Sequence, residues 1–441
     1  MSKPSRIGKS CKSMRILWIS LSPHLKDSCI KCGASVVCAL CLSSCALFSS
    51  KVNTIDSVHF TEDGKCRDKV VHFASKVPEN VKFYVEVSGS MNGFFRSNQA
   101  TRFKHDLWSV MTDFMPSDGQ VNVFAGLHKD AMQLPVAAFR EGMNQGSFVS
   151  GASTDVPDMV SRMLEDVNVK NSEVGVLVSD MKYDPTGNVA IKALMDQYST
   201  DIRNVMMRHP KVAVSLIVAT SEFLDKTGKE WTSRSPYYYL IVGNAANVVY
   251  MRNSIASLLR NYHSFVDEIE WGIDYLAPSV SVSNADYLTE IDSNKSYGDF
   301  DDECTMTLDI DITDYPWMFE QKDTLVKYLS IQSENDTKAV IDAKNITYEV
   351  AYDDGKQLKR TAVARVPVKI SGMYEGSDVF EITLHCPEIQ VPNAAFYRFI
   401  ESDDINDVNT TYSMGGLLQG FYTSMERFRT PHPVYLLVST K

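Results

Sequence analysis

The sequence predicts an α/β protein: a doubly wound, mostly parallel sheet followed by a β-rich C-terminal domain. Three observations carry this. Short continuous apolar runs alternate with helix-spaced stretches from residue 81 to 265. The runs end in small or polar residues, as buried parallel strands do where they meet their loops. Beyond Trp271 the texture changes to β-rich segments separated by Asp, Gly and Asn turns, which suits an antiparallel sandwich.

In order, Val81 to Val85 reads as a strand buried on both faces, ending at Glu86. His105 to Met115 has helical apolar spacing through Leu107, Val110, Met111 and Phe114. Val121 to Ala125 and Pro135 to Phe139 read as short strands, and Thr154 to Val167 as an amphipathic helix. Val174 to Val178 is a continuous strand run stopping at Ser179-Asp180. A helix over Ala190 to Met207, strands at Val212 to Thr220 and Tyr237 to Val242, and a helix over Ser254 to Phe265 complete the alternation. A parallel sheet is the natural solution for such a series. Thr305 to Ile312, Ile346 to Tyr352, Ala362 to Ile370 and Val379 to Leu384 are the later β segments, with a helix over Met414 to Phe428. Asn284 to Glu303 reads as a loose acidic connection.

At 441 residues, 44% hydrophobic and 22% charged, the chain has room for two folded domains. Its net charge is -11, but the first 44 residues carry +6, leaving -17 for the remainder. An acidic body argues against nucleic acid as a partner, since phosphate binding needs clustered Lys and Arg. Six of the nine cysteines lie in the first 45 residues, and Cys66, Cys304 and Cys386 are widely spaced, without metal-ligand spacing. Lys26 and Lys31 precede the apolar run Ala34 to Leu42, which closes on Leu42-Ser43-Ser44-Cys45. This is the order of a secretory signal, too short to span a bilayer. The ending resembles a bacterial lipobox, which implies acylation of Cys45 and removal of residues 1–44. Residues 45–80 then form a tether, 81–268 the α/β domain and 269–441 the β-rich domain.

Glu86, Ser88 and Ser90 place a carboxylate and two hydroxyls on alternate residues after the first strand. All are hard oxygen donors of the kind magnesium, manganese and calcium prefer. The pattern resembles the Asp-x-Ser-x-Ser metal site of von Willebrand factor type A domains, with Glu86 replacing the first Asp. Gly151-Ala152-Ser153-Thr154-Asp155 resembles the family's Gly-x-Thr loop, and Asp180 ends the fourth strand. In the 3-2-1-4-5-6 strand order that the fold implies, the first and fourth strands are neighbours at the switch point where ligands bind. The resemblance covers about Val81 to Phe265. It implies a divalent cation, magnesium first with manganese or calcium as alternatives, held by Ser88, Ser90 and Thr154, with Glu86 and Asp180 supplying charge. It also implies a protein partner that offers a carboxylate to the cation.

The resulting expectation is a lipoprotein of the bacterial cell envelope, anchored preferentially to the outer membrane, binding a protein partner through this site. Two rivals stand beside it: a structural envelope component with a decayed metal site, and a metal-dependent hydrolase. Ser88 lacks the Gly-x-Ser-x-Gly elbow of a nucleophile, so no enzymatic assignment is made. Asp299, Asp301, Asp302 and Glu303, like Asp403, Asp404 and Asp407, read as solvated acidic loops. Phe94, Phe95 and Tyr183 are candidates for either an aromatic rim or the core.

Overall fold

Strand β1 (Asn80–Glu86) runs through the middle of the molecule, its second half fully buried. The computed structural model describes residues 57–61, 65–125, 131–148, 154–183, 191–285, 304–353, 356–373, 377–387, 392–400, 404–425 and 432–439. The leader, Cys45 and the acidic residues Asp299 to Glu303 lie outside them, as does Asp403.

After β1 come α1 (Arg102–Phe114), β2 (Gln120–Phe124), β3 (Met132–Pro135) and α2 (Val136–Gln145). They are followed by α3 (Val156–Asp166), β4 (Glu173–Ser179), α4 (Ile191–Met207), β5 (Ala213–Leu224), β6 (Glu230–Gly243), α5 (Ala245–Asn261) and β7 (Phe265–Trp271). The seven strands form one mixed sheet in the order β3-β2-β1-β4-β6-β5-β7. β1 pairs in parallel with both β2 and β4. Three of the helices begin where side chains satisfy otherwise orphaned backbone N–H groups. Thr101 accepts from the Lys104 N–H, Asp155 from that of Asp158 and Asn244 from that of Asn247.

The sheet is not mostly parallel as expected: only the β1–β2 and β1–β4 pairings are parallel, and the other four are antiparallel. Two further features differ from expectation. Residues 136–139 are helical, not a strand, because Val136, Phe139 and Met143 fall on one buried helical face. A short apolar run does not by itself distinguish strand from helix. The strand order also changes after β4. β5 and β6 are joined by a tight turn, so β6 folds back antiparallel and lies between β4 and β5. A parallel placement would have required a crossover of a dozen or more residues.

The later chain supplies β8 (Val280–Ala285), β9 (Cys304–Asp311), α6 (Lys322–Tyr328), β10 (Leu329–Ser333), β11 (Lys338–Ile341), β12 (Thr347–Asp353), β13 (Lys356–Ser371), β14 (Ser377–Leu384), α7 (Ala394–Ile400), α8 (Met414–Ser424) and β15 (Val434–Ser439). β13 is the spine of an antiparallel sheet ordered β11-β13-β9-β8, with β12 also on β13. β10, β14 and β15 form a second antiparallel sheet.

Both faces of the main sheet are covered. On one, Phe83, Val85, Val176 and Tyr239 pack with α1, α2 and α5, and this core runs on into Leu308, Val366 and Phe380 of the later sheets. On the other, Tyr84, Leu177 and Leu240 pack with α3 and α4 and with Phe396, Leu417 and Phe421 of α7 and α8. The segment between β14 and β15 thus returns to clasp the main sheet, so the later region shares its cores with the earlier one. The stretch expected to be a tether also has fixed contacts over its described part. Phe60 is buried, His59 stacks on Tyr435 at 3.7 Å, and the Ser75 N–H donates to Asp314 at 2.7 Å.

Candidate metal centre

β1 and β4 lie side by side, so Glu86 at the end of one arrives beside Ser179 and Asp180 at the end of the other. Past β1 the chain turns through Ser88 into a short 3-10 turn over Gly89–Gly93. Gly93 is required there by close approach, since a Cβ would sit 2.4 Å from the Phe223 ring. Thr154 enters from the loop before α3. Three segments distant in sequence therefore converge at the carboxyl ends of two adjacent strands.

Glu86 is 0% exposed, Ser88 1%, Thr154 4% and Asp180 2%; Ser90 is half-buried. The Thr154 hydroxyl donates to Glu86 Oε1 at 2.7 Å. The Ser179 hydroxyl donates to Glu86 Oε2 and accepts from the Met181 N–H at 2.7 Å. Ser88 Oγ and Ser90 Oγ are 3.0 Å apart. Burial raises the Glu86 carboxyl above the usual carboxylate range, and the Asp180 charge pushes it further, against hydrogen bonds from Ser179, Ser88 and Thr154. Burial likewise raises Asp180, opposed by the Lys182 charge and by hydrogen bonds from Ser90 and the Lys182 N–H. Two buried carboxylates resist joint ionisation because each desolvated charge disfavours the other.

The five residues singled out from the sequence, Glu86, Ser88, Ser90, Thr154 and Asp180, are thus brought to one place. Three neighbours were missed. Ser179 holds the second oxygen of Glu86. Lys182, 8% exposed, donates to the carbonyl oxygens of Asp407 at 2.9 Å and Ile405 at 3.4 Å. Thr411 donates to the Asp180 carbonyl at 3.2 Å and bonds the Tyr238 hydroxyl at 2.8 Å. Met181, between the Asp and Lys, takes a left-handed conformation with φ of 56°, a costly state for a bulky residue that is retained where surroundings enforce it. Ser179 was legible as the polar end of a strand run. Nothing local marked Thr411.

Phe94, Phe95 and Tyr183 form no rim. All three are buried, Phe94 and Phe95 against Phe103 and Tyr183 stacked on Tyr198 at 4.3 Å. Asp404 and Asp407 direct their carboxylates into their own turns, accepting from the N–H groups of Asn406 and Asn409 at 2.9 Å each. Among the described residues no group of three or more His, Cys, Asp or Glu is placed to hold a metal. Any cation here would rest on two carboxylates and three hydroxyls. That donor set fits a hard cation such as magnesium, and a double positive charge would relieve the opposition between the two acids. No helix among the described residues is long and apolar enough to cross a membrane. Comparison with known proteins returns no matching family model, no matching curated protein and no matching solved structure.

Proposed function

We propose that this chain is an envelope lipoprotein whose α/β region, read as a von Willebrand type A domain of the doubly wound class, binds a protein partner through a divalent cation. The observation that carries the reading is the meeting of Glu86, Ser88, Ser90, Thr154 and Asp180 at the ends of two adjacent parallel strands. Ser88 and Ser90 would hold the cation, with Thr154 as a direct or water-bridged ligand and Glu86 and Asp180 supplying charge. A bound cation supplies a Lewis-acidic position for a partner carboxylate. Burial of this many oxygens is expensive unless they are paired or coordinated.

A second reading has its own support. Both oxygens of Glu86 already accept hydroxyl hydrogen bonds, and Lys182 places a positive charge near Asp180. A polar network so satisfied is stable without a cation, as expected of a decayed site in a structural component.

Calorimetric titration with magnesium and manganese separates the two. On the first reading wild type binds, Ser88→Ala with Ser90→Ala abolishes binding, Asp180→Ala weakens it strongly and Glu86→Asp strengthens magnesium binding. Binding gained only in Glu86→Asp supports the decayed site, and equal binding by wild type and the double serine variant places the cation elsewhere. For the anchor, Cys45→Ala expressed in a bacterial host is expected to move the chain from the membrane to the soluble fraction. A variant that stays with membranes at its mature size removes the lipobox reading.

A further inference from the structure

One polar atom near the oxygen cluster of Glu86, Ser88, Ser90, Thr154 and Asp180 has no partner. Tyr198 on α4 is 0% exposed, and its buried hydroxyl makes no hydrogen bond among the described residues. Two other tyrosines buried on this face of the sheet do find partners. Tyr84 donates to Asp166, and Tyr238 shares a hydrogen bond with Thr411 at 2.8 Å. The Tyr198 ring stacks on Tyr183 at 4.3 Å with the planes 17° apart, and Tyr183 is the third residue after Asp180. Helix α4 is thereby seated against the chain that leaves β4 beside the cluster. Burial raises the Tyr198 hydroxyl far above its ordinary range, and the Tyr183 hydroxyl and the Glu86 and Asp155 carboxylates raise it further. It is protonated at neutral pH, able both to donate and to accept.

Buried hydroxyls are nearly always bonded, and one left over calls for a water or ion, or for a packing role alone. Tyr239 supplies the contrast. Its hydroxyl is also buried without a partner among the described residues, but it packs on the opposite face of the sheet, with α1, α2 and α5, and the carboxylate that acts on it is Asp106. For Tyr198 a packing role alone leaves a cost, since phenylalanine would fill the same space without desolvating a hydroxyl. A hard cation at the cluster removes that cost. Magnesium gives up hydration reluctantly and keeps several waters in a strict octahedron. The oxygens of Glu86 already accept from Thr154 and Ser179, and Tyr198 has both a donor and an acceptor to offer a water.

We propose that Tyr198 is a further positioning residue of the cation site, its hydroxyl holding one hydration water on the Glu86 side and so favouring magnesium over calcium. The inference rests on the cation reading above and adds to it a residue from α4 and a preference between cations. Calcium takes six to eight oxygens in flexible geometry, so it depends less on one water held in one place.

The test is calorimetric titration of the purified full chain with magnesium chloride and with calcium chloride, in wild type, Tyr198→Phe and Tyr239→Phe. Both substitutions keep the ring and its packing and remove only the hydroxyl. In Tyr198→Phe magnesium affinity is expected to fall roughly tenfold or more and calcium affinity clearly less, while Tyr239→Phe binds both cations as wild type does. Equal losses for the two cations in Tyr198→Phe, or the same loss in Tyr239→Phe, would assign the hydroxyl to the scaffold and overturn the proposal. Unchanged magnesium affinity in Tyr198→Phe overturns it and keeps the cation reading. A wild type that binds calcium but not magnesium overturns it in the same way. Binding of neither cation by wild type removes the cation reading, and the role of Tyr198 with it.

Discussion

Asp267 on β7 shows what burial does to one carboxyl group away from the candidate centre. Its oxygens accept from the N–H groups of Glu268 at 2.9 Å and Asn393 at 2.8 Å, yet burial pushes it up to about 7. Its unfolded value is about 3.9, so the folded chain binds this proton more tightly. The stability it contributes is complete below the unfolded value and is lost as pH rises through about 7. Urea unfolding at pH 5 and pH 8 is expected to show wild type less stable at pH 8. In Asp267→Asn that difference should shrink by the order of a few kcal/mol; an unchanged difference would mean Asp267 is ionised when folded. At this scale the sequence was informative where donors sit on alternate residues, as Glu86, Ser88 and Ser90 do. It was silent on Asp267 and Thr411, because burial of the one and the bond of the other to Asp180 depend on chain far away.

Among the elements, α8 has the most specific seat. Gly420 lies so close to α4 that a Cβ would meet Ile202 Cβ at 2.6 Å and the Ser199 carbonyl at 2.9 Å. Phe421 stacks on Trp271 at 4.8 Å from the same helix. Gly420→Val should therefore lower stability by about 1–3 kcal/mol or more through overpacking, read as a reduced urea midpoint with the slope retained. A midpoint equal to wild type would show that α4 yields freely. Helix α8 was legible as an apolar stretch, but its seat was not, since hydropathy does not say which face of which sheet a helix covers. Strand β4 was readable because its middle, Val174 to Val178, carries no polar side chain. Residues 136–139 were misread because four residues hold both a strand period and one helical turn.

At the scale of the whole molecule, Arg252 ties the earlier region to the later one alongside the shared cores. It is fully buried on α5 and donates to Glu270 of β7 at 2.5 Å, to the Tyr275 hydroxyl at 2.9 Å and to the Asp314 carbonyl at 2.8 Å. Glu270 and Tyr275 bond one another at 2.8 Å. Arg252→Met leaves Glu270 without its cation in the interior, and breaking such a pair costs about 3–5 kcal/mol. The loss should appear in a single cooperative unfolding transition. Two transitions would indicate regions that unfold separately. The change in texture near Trp271 was visible in the sequence; the shared cores were not, because they are made by residues hundreds of positions apart.

The bond from Thr411 to Asp180 closes a loop of 231 residues, and this bears on time as well as on shape. Contacts of such separation are slow to form, because a long stretch of chain must be ordered before they return anything. The turn carrying Asp180, Met181 and Lys182 is held in part by residues 405–411, so it is expected to settle only when that distant segment arrives. A chain truncated before Ile405 should therefore hold β1 and β4 with the turn after β4 unsettled. The Asp180 side of the oxygen cluster is accordingly expected to be completed late in folding, wherever in the cell that folding takes place.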